Sequence, residues 1–491
     1  MCVNLRQKIQ SSATTSLPHP VTETTHHFPL VVDLDGTLVR TDTLWESFFA
    51  AWANDVWLPI KCVGWLSKGR AHLKEALAAR ALESRLTIDT LPLNDAVLAR
   101  LRDARNAGRT TVLATAADAR IANAVAKRVG LFDRVFASDG QTNLKSEQKA
   151  TKLIGEFGEK GFDYIGDSNA DVAVWKASRL ALTVSSVQPS GVARIESIAE
   201  EKSALSNWIK LLRVRHWVKN ILVFVALFAA HRFTELLAWQ QALFTFFAFC
   251  AVCSGIYVFN DLFDLASDRS HSSKRFRPLA AGRISLSSAF LIAILLLTLG
   301  LVLAFCTGLW VGVVLLGYCA VNAVYTLYAK RIAVLDVSIL AGLYTLRIVA
   351  GALAIAAPLS PWLFAFSVFA FLSLALLKRA IDINRLAPDE KLSGRGYTGR
   401  DAAFVNTFGA GAALAAVLVL SLYVSAPQAT VLYRNPAWLW FALAVILFWL
   451  MRMWQLAMRG ASDDDPVLFA TKDPTSWVCA ALVVGCFVAA M

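Results

Sequence analysis

The sequence predicts two kinds of fold in one chain: a soluble α/β domain with a parallel sheet, then an all-α multi-pass membrane domain of about nine helices. Three observations predict it. In the first 200 or so residues, short buried-strand patterns run into acidic loops; membrane-length apolar runs fill the remainder; and Lys and Arg gather at alternate connections between those runs. At 491 residues, 56% hydrophobic and with 15 Trp, the chain is too long and too apolar for one soluble domain. Its formal charge of +12 suits a protein that sits on anionic membrane lipids or handles phosphates. Nucleic acid is not an expected partner, because the basic residues cluster at helix ends beside the bilayer.

Residues 1–27 are polar and Ser/Thr-rich and lack an apolar signal core, so a disordered tail is expected. Phe28-Pro29-Leu30-Val31-Val32 then reads as a buried strand ending in Asp33-Leu34-Asp35-Gly36-Thr37-Leu38. A second strand, Thr110–Ala114, ends in Thr115. A third, Phe162–Ile165, runs into Gly166-Asp167-Ser168-Asn169-Ala170-Asp171, and between them lies Lys145-Ser146-Glu147-Gln148-Lys149-Ala150.

Four motifs in this order, three of them at strand ends, resemble the haloacid dehalogenase superfamily of phosphotransferases over residues 28–195. The resemblance implies a Rossmann-like domain with a helical cap, here about 44–100. It assigns Asp33 as nucleophile, Asp35 as acid for the leaving oxygen, Thr115 and Lys149 as phosphate binders, and Asp33, Asp35 and Asp167 as Mg²⁺ site. The second acid favours phosphatase over dehalogenase chemistry. Within the cap, Phe48–Trp52 through Trp65-Leu66 is unusually aromatic; it is expected to be cap core, with a surface against lipid or the membrane domain as the alternative.

Residues 196–217 read as a linker and a juxtamembrane amphipathic segment; in the basic stretch Trp208–Asn220, which runs on into the first expected span, Arg213, Arg215 and Lys219 either anchor to headgroups or capture phosphate. Spans are expected near 218–230, 238–260, 285–305, 308–328, 333–357, 360–377, 402–425, 436–457 and 474–490. Cations mark alternate connections: Lys274, Arg275, Arg277 and Arg283; Lys330 and Arg331; Lys378, Arg379 and Arg385 to Arg400; Arg459 and Lys472. The positive-inside rule then places the N-terminal domain in the cytoplasm and, with nine spans, the C-terminus outside. The eight cysteines are scattered, and Cys250 and Cys253 fall inside an apolar helix, which points to packing.

The second expected span runs into Asn260-Asp261-Leu262-Phe263-Asp264-Leu265-Ala266-Ser267-Asp268, then Arg269 and Lys274-Arg275-Phe276-Arg277. On a continuing helix Asp261, Asp264 and Asp268 share one face. Such charge at membrane depth is costly and points to function, and a hard cation such as Mg²⁺ between the carboxylates relieves it while leaving positions for phosphates.

This motif resembles the UbiA superfamily of intramembrane prenyltransferases, here over 218–491. The usual paired-acid second motif is missing; the loop taken as its equivalent reads Tyr328-Ala329-Lys330-Arg331-Ile332-Ala333-Val334-Leu335-Asp336. With Arg215-His216-Trp217-Val218-Lys219-Asn220, the pattern is similar to one branch, the polyprenyl-phosphate phosphoribosyltransferases. That branch implies Mg²⁺ on Asp261, Asp264 and Asp268, orientation by Asn260, and phosphoribosyl diphosphate and a polyprenyl phosphate as substrates. The anions would be bound by Arg215, Lys219, Lys274, Arg275, Arg277, Lys330, Arg331, Lys378 and Arg379. It further implies a multi-pass protein of the cell (inner) membrane making a cell-wall precursor, and leaves assembly into a homo-oligomer open. The fused phosphatase would remove the product's 5-phosphate. The alternative is prenyl transfer from a polyprenyl diphosphate to an aromatic or other small acceptor, with an idle or regulatory N-terminal domain.

Overall fold

The computed structural model describes residues 28–83, 86–139, 141–185, 191–192, 195–198, 205–460 and 465–491; the expected tail 1–27 and part of the expected linker lie outside these. The chain divides into two compact units, Met1–Leu38 with Asn94–Glu200, and Val39–Leu93 with Glu201–Met491.

The first unit is a six-stranded parallel sheet of β1 (Leu30–Val32), β2 (Thr111–Asp118), β3 (Arg134–Ser138), β4 (Asp163–Gly166), β5 (Leu180–Thr183) and β6 (Ile195–Ser197), in the order β3-β2-β1-β4-β5-β6. Parallel strands buried on both faces need continuous apolar runs, and Leu30-Val31-Val32 is buried throughout. On one side Val31, Val112, Ala114, Phe162, Tyr164 and Trp175 form a core with the flanking helices. Because β1 lies between β2 and β4, the loops leaving all three strands come together at their carboxyl ends, where open α/β sheets build their sites. Strand β2 runs past the expected end at Thr115, with a register shift between Ala114 and Asp118. Asp118 then caps the following helix by accepting from the Arg120 N–H at 3.0 Å.

The second unit is helical. Among the described residues, seven helices are long and apolar enough to cross a membrane, or eight if the bent pair Pro466–Lys472 and Pro474–Ala490 counts as one span, against the nine expected. The difference lies at 218–230. There the chain forms a tight 3₁₀ helix, Val214–Phe224, and a short α-helix, Val225–Ala229, in place of one membrane-length α-helix. Leu236–Phe263 and Leu335–Ala354 are interior, with 56% of their apolar windows buried, whereas Leu286–Thr307 and Leu309–Leu327, at 22%, turn most of their surface outward. Leu236–Phe263 crosses Leu286–Thr307 at close quarters. A Cβ on Gly255 would stand 3.0 Å from the Ala293 carbonyl oxygen, and one on Gly300 would stand 2.8 Å from that of Ala248.

Two features bear on the segment expected to be the cap. Residues 39–93 group with the membrane helices, while the helix Asp95–Asn106 belongs with the sheet. The aromatic stretch is also more than cap core. Three helices, α1 (Thr43–Trp52), α2 (Leu58–Leu66) and α3 (Arg70–Glu83), do enclose a small cluster of Ala51, Leu58 and Leu77. On its other face, however, α1 sets Trp45, Phe48, Phe49 and Trp52 against Phe290, and Phe49 and Trp52 against Phe263. A helix with aromatics on both faces needs two partners, and its second is the membrane domain.

Candidate functional sites

In the first unit the parallel sheet places Asp33 and Asp167 at neighbouring strand ends, with Thr115 on β2, the strand on the other side of β1. Among the described residues, one trio of carboxylates lies close enough to hold a metal ion: Asp33, Asp167 and Asp171, with ligand oxygens within 4.8 Å of one another. Lys149 stands among them, 3.0 Å from Asp33 and 3.3 Å from Asp171. Burial pushes Asp33 up to about 6, against the opposing pull of Lys149. Burial, then Asp33 and Asp171, pushes Asp167 up to about 7. Burial disfavours the Lys149 ammonium, but Asp33 and Asp171 more than offset it, and its pKa is raised.

Three carboxylates against one ammonium leave net negative charge, and Thr37 Oγ1 is buried with no hydrogen-bond partner among the described residues. This donor set fits a hard divalent cation. Gly36 is required by the approach of Asp167: it has φ +72°, and a Cβ there would lie 2.2 Å from Asp167 Oδ2. Lys149 is the buried lysine of its motif and Lys145 the exposed one. Thr115 is fully buried and its Oγ1 accepts the Ala117 N–H at 3.0 Å. Asp171 is absent from the expected ligands, although it lies in the quoted motif. It accepts from Tyr164 Oη at 2.7 Å and from the backbone N–H groups of Asp167 and Ser168, so it fixes the loop that carries Asp167.

In the second unit the acidic motif does not continue as one helix. Leu236–Phe263 ends at Asp264, and a new short helix, Leu265–Ser270, begins there. Asp261 and Asp268 consequently meet through a shared cation. Arg277 lies 3.2 Å from Asp261 and 2.7 Å from Asp268, and Arg213 lies 2.5 Å from Asp261. Asp264 instead lines a cavity of about 450 Å³ together with Glu46, Phe49, Thr87, Phe263 and Ser267. The expected common face is thus split by the break at Asp264. A guanidinium occupies the place between two carboxylates where a shared ion would sit, so the pair is suited to cation binding.

Arg213 adopts a left-handed conformation, φ +51°, that turns the chain from the helix Leu205–Leu211 into the 3₁₀ helix. That helix is pinned to Leu236–Phe263 by Trp217 Nε1 donating to Ser254 Oγ at 3.0 Å and Asn220 Nδ2 donating to Cys250 Sγ at 3.2 Å. Buried Arg347 donates to Asn220 Oδ1 at 2.8 Å and to Tyr318 Oη at 2.8 Å. His216 rests against Tyr257 at 5.7 Å, and the Arg213 guanidinium lies over the same ring at 4.7 Å. Lys219, nearly buried, pairs with Asp465 at 2.8 Å, and Lys378 reaches the same oxygen at 3.1 Å. Burial alone would raise the Asp465 carboxyl, but Lys219 and Lys378 outweigh it and hold it well below the usual carboxylate range.

The other expected anion binders are dispersed. Arg215, Lys274, Arg275 and Arg331 are exposed, while Lys330 and Asn260 are half-buried. Arg379 is committed to Asp336 at 2.8 Å and Asp382 at 3.0 Å. Asp336 in turn accepts from Tyr397 Oη at 2.7 Å, and Tyr397 Oη also accepts the N–H of Val334, held at φ +68°. Asp465 was missed by the sequence reading, although it ends the conspicuous run Asp463-Asp464-Asp465 ahead of Pro466. So was the pairing of Arg269, next to the acidic motif, with Glu46 of α1.

Comparison with known proteins agrees with both units. Residues 30–176 match the haloacid dehalogenase-like hydrolase family, and residues 221–489 match the UbiA prenyltransferase family. An uncharacterized protein, y4nM, of Sinorhizobium fredii is 39% identical over 475 residues, covering 94% of this chain and 91% of that protein. Nodulation protein NoeC of Azorhizobium caulinodans is 37% identical over 57% of this chain and 91% of its own length. The decaprenyl-phosphate phosphoribosyltransferase of Mycolicibacterium smegmatis is 31% identical over 55% of this chain and 88% of its own length. The chain belongs to the UbiA prenyltransferase family and carries a haloacid dehalogenase-like domain ahead of its multi-pass membrane domain.

Proposed function

We propose that the membrane domain transfers 5-phosphoribose from phosphoribosyl diphosphate to a polyprenyl phosphate and releases pyrophosphate. The observation that carries this reading is two sets of paired cations on carboxylates: Arg213 and Arg277 at Asp261 and Asp268 of the acidic motif, and two ammonium groups, Lys219 and Lys378, on the single carboxylate of Asp465. A prenyl diphosphate meeting a neutral ring brings one anionic group; a sugar diphosphate meeting a lipid phosphate brings two and needs more positive charge. Relatives named for decaprenyl-phosphate phosphoribosyl transfer support the same choice.

Mg²⁺ would be held by Asp261 and Asp268, with Asp264 at the break, and it supplies charge neutralisation to the departing pyrophosphate. Arg277 and Arg213, which stand beside these carboxylates, bind the diphosphate. Lys219 and Lys378 hold the lipid phosphate whose oxygen attacks carbon 1 of the ribose. In the other unit Asp33 attacks the product's 5-phosphate and Asp35 protonates the leaving oxygen, with Mg²⁺ on Asp33, Asp35 and Asp167 and with Lys149 and Thr115 on the phosphoryl group. The positive-inside pattern puts this unit on the cytoplasmic side of the inner membrane.

Pyrophosphate release by the purified protein in lipid nanodiscs tests the transfer step. It should require phosphoribosyl diphosphate, a polyprenyl phosphate and Mg²⁺ together. Release with a prenyl diphosphate and an aromatic acid in their place would overturn the assignment in favour of aromatic prenyl transfer.

A further inference from the structure

Helix α2 turns an apolar face to the outside. Val56 is 80% exposed, Trp57 66%, Ile60 65%, Val63 71% and Leu66 51%. At the helical advance of about 100° per residue, the outward side chains of α2 fan over about half its circumference, and Leu58, Cys62 and Trp65 lie on the side turned to α1 and α3. Lys61 falls at one border of the exposed face, held there by Asp55 at 2.7 Å, and exposed Lys68 follows in the turn just past the helix end.

An isolated soluble domain rarely leaves so continuous an apolar helix face uncovered. The partner is indicated by what α1 touches. Trp45, Phe48 and Phe49 pack on Phe290 at 5.6, 6.3 and 5.7 Å. Phe290 is in the first two turns of the span Leu286–Thr307, whose next residues, Leu291, Ile294 and Leu295, are outward and 67%, 40% and 54% exposed. Helix α1 is therefore seated where a lipid-facing helix begins, and α2, packed beside α1, carries its apolar face at the same end of the membrane domain. Apolar side chains toward the acyl boundary with lysines at the edge are the pattern of a helix lying in the plane of an anionic interface.

We propose that α2 is an interfacial membrane foot, with Trp57, Ile60, Val63 and Leu66 in the headgroup–acyl boundary and Lys61 and Lys68 among anionic headgroups. The foot fixes α1, and with it Glu46, at a set depth against the bilayer.

The test uses the full chain in phosphatidylglycerol–phosphatidylcholine nanodiscs, with the photoreactive residue p-benzoylphenylalanine placed singly at Ile60, at Val63 and, as a control, at exposed Asp103 of the other unit. After irradiation, mass spectrometry should find lipid adducts at positions 60 and 63, several-fold above position 103. Crosslinks to a second copy, crosslinks to residues 94–198 of the same chain, or adduct yields no higher than at position 103 would each overturn the proposal. Substitution at these exposed positions leaves the cluster of Ala51, Leu58 and Leu77 intact, and normal elution of each variant in nanodiscs verifies folding.

Discussion

Glu46 and Arg269, 223 residues apart in sequence, form a two-pronged ion pair with contacts of 3.0 and 2.6 Å, and neither side chain is more than 5% exposed. Arg269 directly follows Asp268 and also donates to the Ala280 carbonyl at 3.0 Å. Glu46 is held in turn by the Thr41 hydroxyl at 2.8 Å. A helix from within the segment expected to be a phosphatase cap thus braces the acidic motif of the membrane domain.

Glu46→Ala leaves a buried guanidinium without its carboxylate, and such uncompensated charge costs about 3–5 kcal/mol. Thermal unfolding of the purified variant should show a marked loss of stability, with lipid transfer reduced. Glu46→Gln, which keeps hydrogen-bonding atoms, should recover part of both. Wild-type stability in Glu46→Ala would mean that the brace contributes nothing.

Asp261→Asn or Asp268→Asn should lower lipid transfer by about 10²-fold or more, the scale of losing one preorganised electrostatic contact in a water-poor site. Hydrolysis of a small phosphate monoester by the other unit should be unchanged, because the proposed function assigns that chemistry to Asp33. Near-normal transfer by either variant at saturating Mg²⁺ would contradict the site as drawn.

The Asp33 carboxyl gives a pH-dependent stability effect. Its folded pKa, about 6, lies above the unfolded value of 3.8, so its contribution is complete below 3.8 and is lost as pH rises through about 6. Asp33→Asn cannot ionise. In EDTA at pH 8 it should exceed wild type in stability by up to about 3 kcal/mol, from roughly two pKa units at 1.36 kcal/mol each. The difference should shrink toward pH 4.5. A gap between the two proteins that does not change with pH would contradict this.

Lys378 is the more exposed of the two ammonium groups on Asp465, and its removal leaves the Lys219–Asp465 pair in place. Lys378→Gln should therefore fold normally and raise KM for the polyprenyl phosphate about tenfold or more. One lost charge-assisted hydrogen bond is worth about 1.5–3 kcal/mol. An unchanged KM would remove Lys378 from the lipid-phosphate site.

Local patterns were legible in the sequence and long-range partnerships were not. Asp33, Thr115 and Asp167 could be placed together because parallel strands bring their carboxyl ends side by side, whatever the chain does between them. The spans were legible because apolar length is a local property. The break at Asp264 was not, since the i, i+3, i+7 spacing holds only while a helix continues. Lys219 and Asp465 stand 246 residues apart, and no periodicity links them. The aromatic face of α1 was visible as apolar, but apolarity does not say which surface it meets, and Phe263 and Phe290 settled that.

The most direct measurement is the mass of the lipid made by the Asp33→Asn protein, in which the proposed second step is blocked. With phosphoribosyl diphosphate, a polyprenyl phosphate and Mg²⁺, the account predicts a polyprenyl phosphate heavier by one phosphoribosyl group, its 5-phosphate retained, whereas wild type yields the same lipid lighter by one phosphate. Recovery of the unmodified polyprenyl phosphate, from a protein that instead attaches a prenyl chain to an aromatic acid, would contradict it.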